Sequence, residues 1–294
     1  RGLDIQADEV MKALCLMLPV KLKAMAVYGG VSINPQMKRM MGTNILIATP
    51  GRLLDLESKN AVDLSSVCQL VLDEADQVLS LGFKEDVDKI LGLLPKQRQN
   101  LLFSATIDDK VTQLINKLLN DPITIKVAVE NVTPDLINQK AYLISQEKKG
   151  PLLRHLINTG NGEQTLVFTS SVRTADNVVQ KLIKNGVKAM ALHSKKSQGA
   201  RTDALTQFKA GHLQILVATD LAARGIDIKL LPFVINYELP RSPKDYIHRI
   251  GRTGRAETEG CAISFITEED QHHFGIIQKK MKKVIEIEDA NDFI

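Results

Sequence analysis

The chain has 294 residues with a formal net charge of +4, and 44% of the residues are hydrophobic. This length exceeds the usual size of one domain and this composition can fill two cores, which argues against a disordered protein. The three cysteines lack the spacing of a disulfide framework or zinc site, and no apolar run is long enough to span a bilayer. We therefore expect a globular, cytoplasmic protein with no membrane partner.

The charge is unevenly distributed along the chain. Residues 1–128 carry 15 Lys and Arg and 15 Asp and Glu, whereas residues 129–282 carry 22 and 15. A basic domain can hold a polyanion, although a solvated basic face explains the same excess. The acidic C-terminal segment, residues 283–294, is expected to be a frayed tail.

Short apolar runs recur, and each ends in small polar or acidic residues. In chain order they are NILIATPGR (44–52), QLVLDEAD (69–76), NLLFSAT (100–106), TLVFTSS (165–171), QILVATD (214–220) and FVINYELP (233–240). Continuous Val, Ile and Leu runs are typical of parallel strands buried on both faces, and helical patterns at 108–119 and 172–186 separate some of them. The sequence predicts an α/β fold with mainly parallel sheets.

The segment 121–145 has β-branched residues, two prolines and no helical period. We therefore predict an N-terminal domain (1–128), a linker (129–138) and a C-terminal domain (139–282). In parallel sheets the ligand site lies beyond the carboxyl ends of the strands, where the polar endings of the apolar runs fall. The alternative is that their Thr and Ser residues only cap the following helices.

Two carboxylates, Asp73 and Glu74, directly follow one of the apolar runs. This arrangement suits a nucleoside triphosphatase, in which the first carboxylate holds Mg²⁺ and the second orients or deprotonates the attacking water. The alternative is a helix N-terminus, where the helix dipole favours acidic side chains.

The segment DYIHRIGRTGR (245–255) places Arg249, Arg252 and Arg255 three residues apart. Arg252 and Arg255 are candidates to stabilise the charge of a γ-phosphoryl group, an effect of roughly 10³ to 10⁵ in rate. Gly251 and Gly254 would let the backbone pass close to phosphate. A basic surface turn is the alternative.

Two more polar segments lie in the second half. Gln198 and Arg201 share one helical face that can bind phosphates, and ATDLAARGID (218–227) brings Thr219, Gly225 and Asp227 to another strand end. A glycine turn with a local ion pair is the alternative for the second segment. The chain has no Trp and few other aromatics, so any nucleic acid would be held by its backbone, independently of sequence.

With DEAD (73–76), SAT (104–106), ARGID (223–227) and HRIGRTGR (248–255) in this order, the chain resembles the DEAD-box ATP-dependent RNA helicases of superfamily 2. The phrases YGGVSINPQM, TPGRLLDLE, RQNLLFSAT and KSQGAR are most similar to the bacterial RhlE-type subgroup. The resemblance, which covers residues 1–282, implies two RecA-like domains that close over ATP, Mg²⁺ and a single RNA strand and open a short duplex locally.

The resemblance also implies roles for particular residues. Glu74 would be the general base, with Arg252 and Arg255 at the γ-phosphate, while Mg²⁺ would be held by Asp73. Gly225 and Asp227 would contact the nucleotide. Residues that couple domain closure to strand separation would be Asp76, Ser104, Thr106, His248 and Arg249. The RNA backbone would be contacted by Arg1, Gly29, Gly30, Thr49, Gly51, Arg52, Gln198, Arg201 and Thr219.

The chain departs from the family pattern near its start. None of its 18 glycines is followed by lysine, so the phosphate-binding loop ending in Gly-Lys-Thr or Gly-Lys-Ser is absent. Residues 1–6 resemble the end of a later family motif, with Gly2 where Glu is usual, and Ser194 replaces a common glycine. We therefore expect a helicase fragment whose first domain is incomplete, lacking the Q motif and one strand, and which hydrolyses little or no ATP by itself.

Two other functions stay open. One is a non-catalytic RNA-binding or assembly factor with a degenerate ATPase, and the other is a DNA helicase, because composition cannot sense the 2′-hydroxyl. The resemblance implies RNA as the main partner of a monomer, with ribosome precursors or an RNA-decay assembly as further partners. An incomplete first domain is also expected to be unstable when made alone.

Overall fold

The computed structural model describes residues 2–126, 137–160, 162–223, 228, 231–254 and 260–291. The chain divides into two compact units, Arg1–Lys126 and Val127–Ile294. In the described part of the chain, no helix combines the length and apolar character that a membrane span requires.

The first unit alternates strands and helices. Its elements are α1 (Gly2–Met17), β1 (Ala24–Val27), α2 (Asn34–Arg39), β2 (Ile45–Ala48), α3 (Pro50–Glu57), β3 (Gln69–Leu72), α4 (Ala75–Ser80), α5 (Lys84–Leu93), β4 (Gln99–Leu102) and α6 (Asp109–Leu118). Strand β1 pairs with β2 and β3 pairs with β4, both in parallel. Among the described residues these pairs form two separate two-stranded sheets.

Local signals in the sequence explain the helices of this unit. Helix α6 begins where the Asp108 carboxylate accepts a hydrogen bond from Val111 N at 2.9 Å, and it buries Val111, Leu114 and Leu118 against the unit. Helix α3 begins with Pro50, whose fixed φ and missing N–H suit a first helical position. The buried apolar side chains form three small clusters in place of one continuous core.

The second unit is built on one larger sheet. Its elements are β5 (Ile137–Leu143), α7 (Lys149–Thr159), β6 (Thr165–Thr169), α8 (Val172–Lys184), β7 (Ala189–Leu192), α9 (Gln198–Lys209), β8 (Ile215–Thr219), α10 (Asp220–Ala223), β9 (Phe233–Asn236), α11 (Pro243–Ile250), β10 (Gly260–Ile266), α12 (Gln271–Met281) and β11 (Ile287–Asp289). The seven strands lie in the order β11-β5-β10-β9-β6-β8-β7, and all of the pairings are parallel.

The core of the second unit lies on both faces of this sheet. Strands β6 and β8 are buried at every position, so their uninterrupted apolar runs match strands covered on both sides. Helix α8, capped by Ser171, covers one face with Ala175, Val178 and Leu182. The predicted α/β fold with parallel sheets is confirmed, and each of the six apolar runs overlaps a strand.

The C-terminal segment differs from the sequence-based expectation. The prediction of a frayed tail over 283–294 was wrong for Ile287–Asp289, which form the edge strand β11 and pair with β5. Ala290 is buried and the Asn291 side chain accepts a hydrogen bond from Ser145 N at 3.0 Å. The alternation of Ile and Glu in this segment suits an edge strand with one covered face. Residues 292–294 lie outside the described residues.

The predicted linker, residues 129–138, falls largely outside the described residues. Its last two positions belong to β5, which begins at Ile137. Ile137 is buried in the core of the second unit, so these two positions are part of the sheet.

Candidate functional site

In the first unit, two carboxylates follow strand β3 at its carboxyl end. Asp73 is exposed, and its Oδ1 accepts a hydrogen bond from Glu74 N at 2.8 Å. Glu74 has a φ of 48° in the left-handed region, which is uncommon for a residue other than glycine. The backbone is fixed on either side, because Ala75 N donates to Phe103 O at 3.0 Å and Phe103 N donates to Leu72 O at 2.8 Å. Unusual backbone of this kind is concentrated at functional sites.

A hydrogen-bonded network joins the ends of β3 and β4. Asp76 is 6% exposed, and its Oδ2 accepts from Thr106 Oγ1 at 2.7 Å. Asp76 N donates to Ser104 Oγ at 3.3 Å, and Ser104 Oγ donates to Thr106 O at 2.6 Å. Three of the five residues predicted to couple domain closure to strand separation, Asp76, Ser104 and Thr106, are therefore in direct contact. The parallel pairing of β3 with β4 brings them together.

Two of the three glycines predicted to contact RNA, Gly29 and Gly30, lie in the turn after β1. Gly30 has a φ of 78°, a conformation that glycine adopts without strain. Thr49 and Gly51 lie at the end of the paired strand β2 and the start of α3, and Thr49 N donates to Val27 O at 3.2 Å. Parallel pairing of β1 and β2 thus places both segments at one edge of this sheet.

Arg52 differs from the other predicted RNA contacts because it is only 7% exposed. Its Nη2 donates to Val31 O at 2.9 Å, and its Nε lies 3.6 Å from an Asp55 carboxylate oxygen. The side chain therefore fastens helix α3 to the turn that follows β1.

In the second unit, Arg249 lies inside the domain. Its side chain is 2% exposed, and it pairs with Asp220 through two hydrogen bonds, Nε to Oδ1 at 2.6 Å and Nη2 to Oδ2 at 2.7 Å. Its Nη1 donates to Asn236 Oδ1 at 3.0 Å and to Glu238 O at 2.7 Å. The guanidinium carbon lies 4.9 Å from the centre of the Phe168 ring. This pairing joins α11 to the end of β8.

The other predicted residues of this unit lie at strand ends or nearby turns. Thr219 ends β8, and Gln198 and Arg201 lie in the first turn of α9, whose N-cap Ser197 accepts from Ala200 N at 3.2 Å. His248 lies on α11, and Arg252 lies in the turn after that helix, where its carbonyl accepts from Leu231 N at 3.1 Å.

Four of the predicted residues, Arg1, Gly225, Asp227 and Arg255, lie outside the described residues. Among the residues of the second unit that were predicted to contact the nucleotide, only Arg252 lies within the described residues.

Two residues of the second unit that make side-chain contacts, Asp220 and His193, were not among the predicted site residues. Asp220 had a usable signal, since it follows an apolar strand just as Asp73 does. His193 had none: it is buried, its Nε2 lies 3.0 Å from Asp176 Oδ1, and Lys196 Nζ lies 2.9 Å from the same oxygen. The hydrogen bond from His193, with Lys196 assisting, holds the pKa of Asp176 below its usual value, so this surface carboxylate stays ionised.

The acidic strand end suits a hard cation. The described residues contain no group of three or more His, Cys, Asp or Glu side chains that could hold a metal ion. Magnesium, however, keeps several waters and is commonly bound through one or two carboxylates together with substrate phosphates. The exposed carboxylate of Asp73 therefore fits the ion, and a cage built only from protein groups is not required.

Comparison with known proteins agrees with the resemblance to DEAD-box helicases that the sequence motifs indicate. Residues 3–114 match the family described as DEAD/DEAH box helicase, and residues 148–257 match the helicase conserved C-terminal domain. The chain is 41% identical over 256 residues to the ATP-dependent RNA helicase DBP2 of Candida glabrata, covering 85% of this chain and 47% of that protein. It is 37% identical over 284 residues to the ATP-dependent RNA helicase CshA of Listeria monocytogenes, covering 96% and 54%. The chain thus spans about half the length of these relatives.

Solved structures agree with the sequence relatives. The S. cerevisiae Dbp5 structure bound to RNA and ADP BeF3 superposes with a TM-score of 0.84 at 28% identity, covering 99% of this chain and 75% of that one. A DEAD box protein from the hyperthermophile Methanococcus jannaschii is 36% identical, with a TM-score of 0.51, and the match covers 98% and 77%.

The parallel sheets and the two family matches together place this chain in the class of proteins built from two RecA-like helicase domains. More specifically, the chain belongs to the DEAD-box RNA helicase family.

Proposed function

We propose that the protein hydrolyses ATP when RNA is bound and uses this reaction to open short RNA duplexes locally. The observation that carries the proposal is the contact of Asp76 with Ser104 and Thr106, directly beside the exposed carboxylate of Asp73. A change at the nucleotide can thereby reach a second loop through one partly buried hydrogen-bonded network.

In this proposal the first unit supplies the acidic groups. Asp73 holds Mg²⁺, and the ion neutralises the negative charge of the phosphates when it is bound. Glu74 takes the proton from the attacking water, and it occupies the N-cap position of helix α4 in a left-handed backbone conformation. Proton removal by a positioned carboxylate contributes about 10² to 10⁴ in rate.

The second unit supplies the positive groups. Arg252 and Arg255 stabilise the charge that develops on the γ-phosphoryl oxygens, while Gly225 and Asp227 contact the nucleotide. Arg249 is committed to Asp220 inside the unit. It therefore holds α11 in place, which fits a coupling role together with His248.

RNA is held by its backbone at the strand ends of each unit. In the first unit the contacts are Arg1, Gly29, Gly30, Thr49 and Gly51, with the buried Arg52 holding the turn that carries the first two glycines, and in the second unit they are Gln198, Arg201 and Thr219. Small residues and arginines contact the phosphates and sugars of the RNA. Binding is therefore independent of base sequence, and it weakens as the salt concentration rises. The yeast Dbp5 structures with bound RNA support RNA as the ligand.

The finer assignments are also proposals. The phrases YGGVSINPQM and KSQGAR favour the RhlE-type subgroup. We further propose a cytoplasmic monomer, with ribosome precursors or an RNA-decay assembly as partners. The 294-residue chain alone is proposed to turn over little or no ATP, because it contains no Gly-Lys pair for a phosphate-binding loop.

A phosphate-release assay tests the main proposal. The full-length gene product is expected to hydrolyse ATP faster when single-stranded RNA is added, and the Glu74→Gln variant is expected to lose that activity while still binding RNA. DNA of the same sequence serves as the competitor that separates an RNA helicase from a DNA helicase. RNA binding without any turnover in the full-length product would identify a non-catalytic RNA-binding factor instead.

A further inference from the structure

Gln36 holds the turn that follows β1. Its side chain is 9% exposed, and its Oε1 accepts a hydrogen bond from Tyr28 N at 3.0 Å. Its Nε2 donates to Tyr28 O at 3.3 Å and to Ser32 O at 3.0 Å. One amide side chain on α2 thus satisfies three backbone groups of a single turn, using both its acceptor and its donors.

Arg52 fastens the same turn from a second helix. It lies on α3, and its Nη2 donates to Val31 O at 2.9 Å. The backbone is therefore bonded at Tyr28, Val31 and Ser32, on both sides of the two glycines. Gly29 is half-buried and Gly30 is exposed, and their amides donate to no group in the described part of the chain.

The arrangement matters because glycine is the most flexible residue. Fixing the backbone of a residue loses conformational entropy, and this loss weakens binding unless the residue is already fixed in the folded protein. Successive backbone N–H groups in a turn that includes a left-handed residue can form an anion-binding concavity. A clamp that holds such a turn before the ligand arrives raises affinity without touching the ligand.

We propose that Gln36 is a positioning residue for nucleic-acid binding: it holds the Gly29–Gly30 turn in the conformation that accepts the phosphate backbone of a single strand. This inference rests on the proposed function, in which these two glycines contact RNA. The bonds of Gln36 are local, so their loss loosens residues 28–32 and leaves the paired strands β1 and β2 intact.

The test is the RNA affinity of Gln36→Met in the 294-residue chain. Methionine fills a similar volume and removes all three hydrogen bonds. Gln99→Met is the matched control, since Gln99 is an exposed amide of the same unit whose Oε1 accepts from Gln69 Nε2 at 3.1 Å. Fluorescence anisotropy with a short fluorescein-labelled oligouridine gives Kd, and thermal melting gives stability.

The expected result is a Kd about tenfold weaker for Gln36→Met, the size expected when about 1.4 kcal/mol of preorganisation is lost. The Kd of Gln99→Met should equal that of the wild type. Hydrogen exchange should become faster at residues 28–32 of Gln36→Met and stay unchanged in β1. A structural role alone would lower the melting temperature and leave the Kd of the folded protein unchanged, which would overturn the inference.

A second pair of variants applies if Gln36→Met does not melt cooperatively. Gln36→Glu keeps the acceptor for Tyr28 N and loses both donors, and Gln99→Glu adds the same charge to the same unit. The first should bind RNA several-fold more weakly than the second, and equal affinities would overturn the inference. If wild type fails to bind RNA at all, the proposed function falls. If the wild type binds RNA and Gln36→Met binds it equally well, the proposed role of Gln36 is wrong and the proposed function stands.

Discussion

Arg249 and Asp220 form a bidentate ion pair within the second unit, with donor–acceptor distances of 2.6 and 2.7 Å. Planar guanidinium and carboxylate groups match in this geometry, which makes the pair stronger and more directional than a single contact. Asp220 directly follows Thr219, a proposed RNA contact, and Arg249 precedes Arg252, a proposed phosphate contact. The pair therefore joins the segment of the proposed RNA contact to the segment of the proposed phosphate contact.

Replacing Arg249 with alanine is expected to lower the free energy of unfolding of the second unit by about 3 kcal/mol. Asp220 and the Glu238 carbonyl would lose their donor in a buried setting, and removing one partner of a buried pair typically costs about 3 to 5 kcal/mol. Asp220 is 28% exposed, which favours the lower end of that range. Arg249→Lys should recover only part of the loss, because lysine keeps the charge without the planar fork.

Urea unfolding measures this effect, and Arg154→Ala is the control. Arg154 Nη1 donates to Asn185 Oδ1 at 2.8 Å at the surface, where an arginine contributes little to stability. If the alanine variants of Arg249 and Arg154 lost the same free energy of unfolding, the buried pair would contribute no more to stability than a surface contact.

Gly260 supports the turn that carries Arg252. A Cβ at this position would overlap Thr253 Oγ1 and Gly254 N, and Thr253 is buried beneath β10 with its hydroxyl donating to the Leu231 carbonyl. Backbone cannot yield as a flexible side chain can, so Gly260→Ala is expected to cost about 1 to 3 kcal/mol and to displace the turn. ATP turnover of the full-length product should fall with it.

Gly275 provides the matched control for that substitution. It lies within α12, and a Cβ there would meet no heavy atom within 4 Å. Alanine at this position should stabilise the helix by about 0.5 to 1 kcal/mol. Thermal melting of both variants checks the pair, and a stable, fully active Gly260→Ala protein would contradict the proposed packing of the turn.

Tyr246 makes the second unit sensitive to high pH. Burial raises the pKa of this phenol to about 12, although the hydrogen bond with Ser264 and the charge of Arg249 act in the opposite direction. In the unfolded chain the phenol ionises near pH 10, so between pH 10 and about 12 the unfolded state binds fewer protons and stability falls as pH rises.

The variant Tyr246→Phe isolates this contribution. Phenylalanine should cost about 1 kcal/mol at pH 7 through the lost hydrogen bond, and it should lose less stability than the wild type between pH 10 and 12. Burial also raises the pKa of Tyr237 to about 12, so part of the alkaline loss stays in the variant. Denaturant titrations at both pH values measure the difference, and parallel pH profiles would contradict the assignment.

Thr106 tests the coupling network of the first unit. Thr106→Val removes the hydroxyl that donates to Asp76 Oδ2 at 2.7 Å and keeps the shape of the side chain. We expect the full-length product to keep most of its ATP turnover and to lose most of its duplex opening, because the network lies beside Asp73 and Glu74 without containing either. Thr112→Val, at an exposed helical hydroxyl, is the control. Equal losses of both activities would argue against coupling.

Much of this fold follows from short-range patterns. Continuous apolar runs are typical of parallel strands, and the carboxyl ends of adjacent parallel strands meet, so Asp76 and Thr106 could be expected near each other. The inward direction of Arg249 could not be predicted, because the spacing of three arginines does not specify which one is buried. Strand β11 was missed because it has only three residues, one apolar and two acidic, and pairs with a strand far away in sequence. No local pattern indicates the bonds that Gln36 makes to the turn.

The two units are expected to differ in stability when made separately. In the first unit β3 pairs only with β4 among the described strands, and Val71 and Phe103 are 55% and 54% exposed. Apolar strands with open edges favour association and weaken cooperative folding. Because β5 begins at Ile137 and Asn291 contacts Ser145, a fragment spanning 137–291 keeps the whole seven-stranded sheet and should melt cooperatively. A fragment spanning 1–126 should unfold over a broad temperature range and aggregate. A sharp, reversible melt of this fragment would show that its three small apolar clusters are enough for cooperative folding.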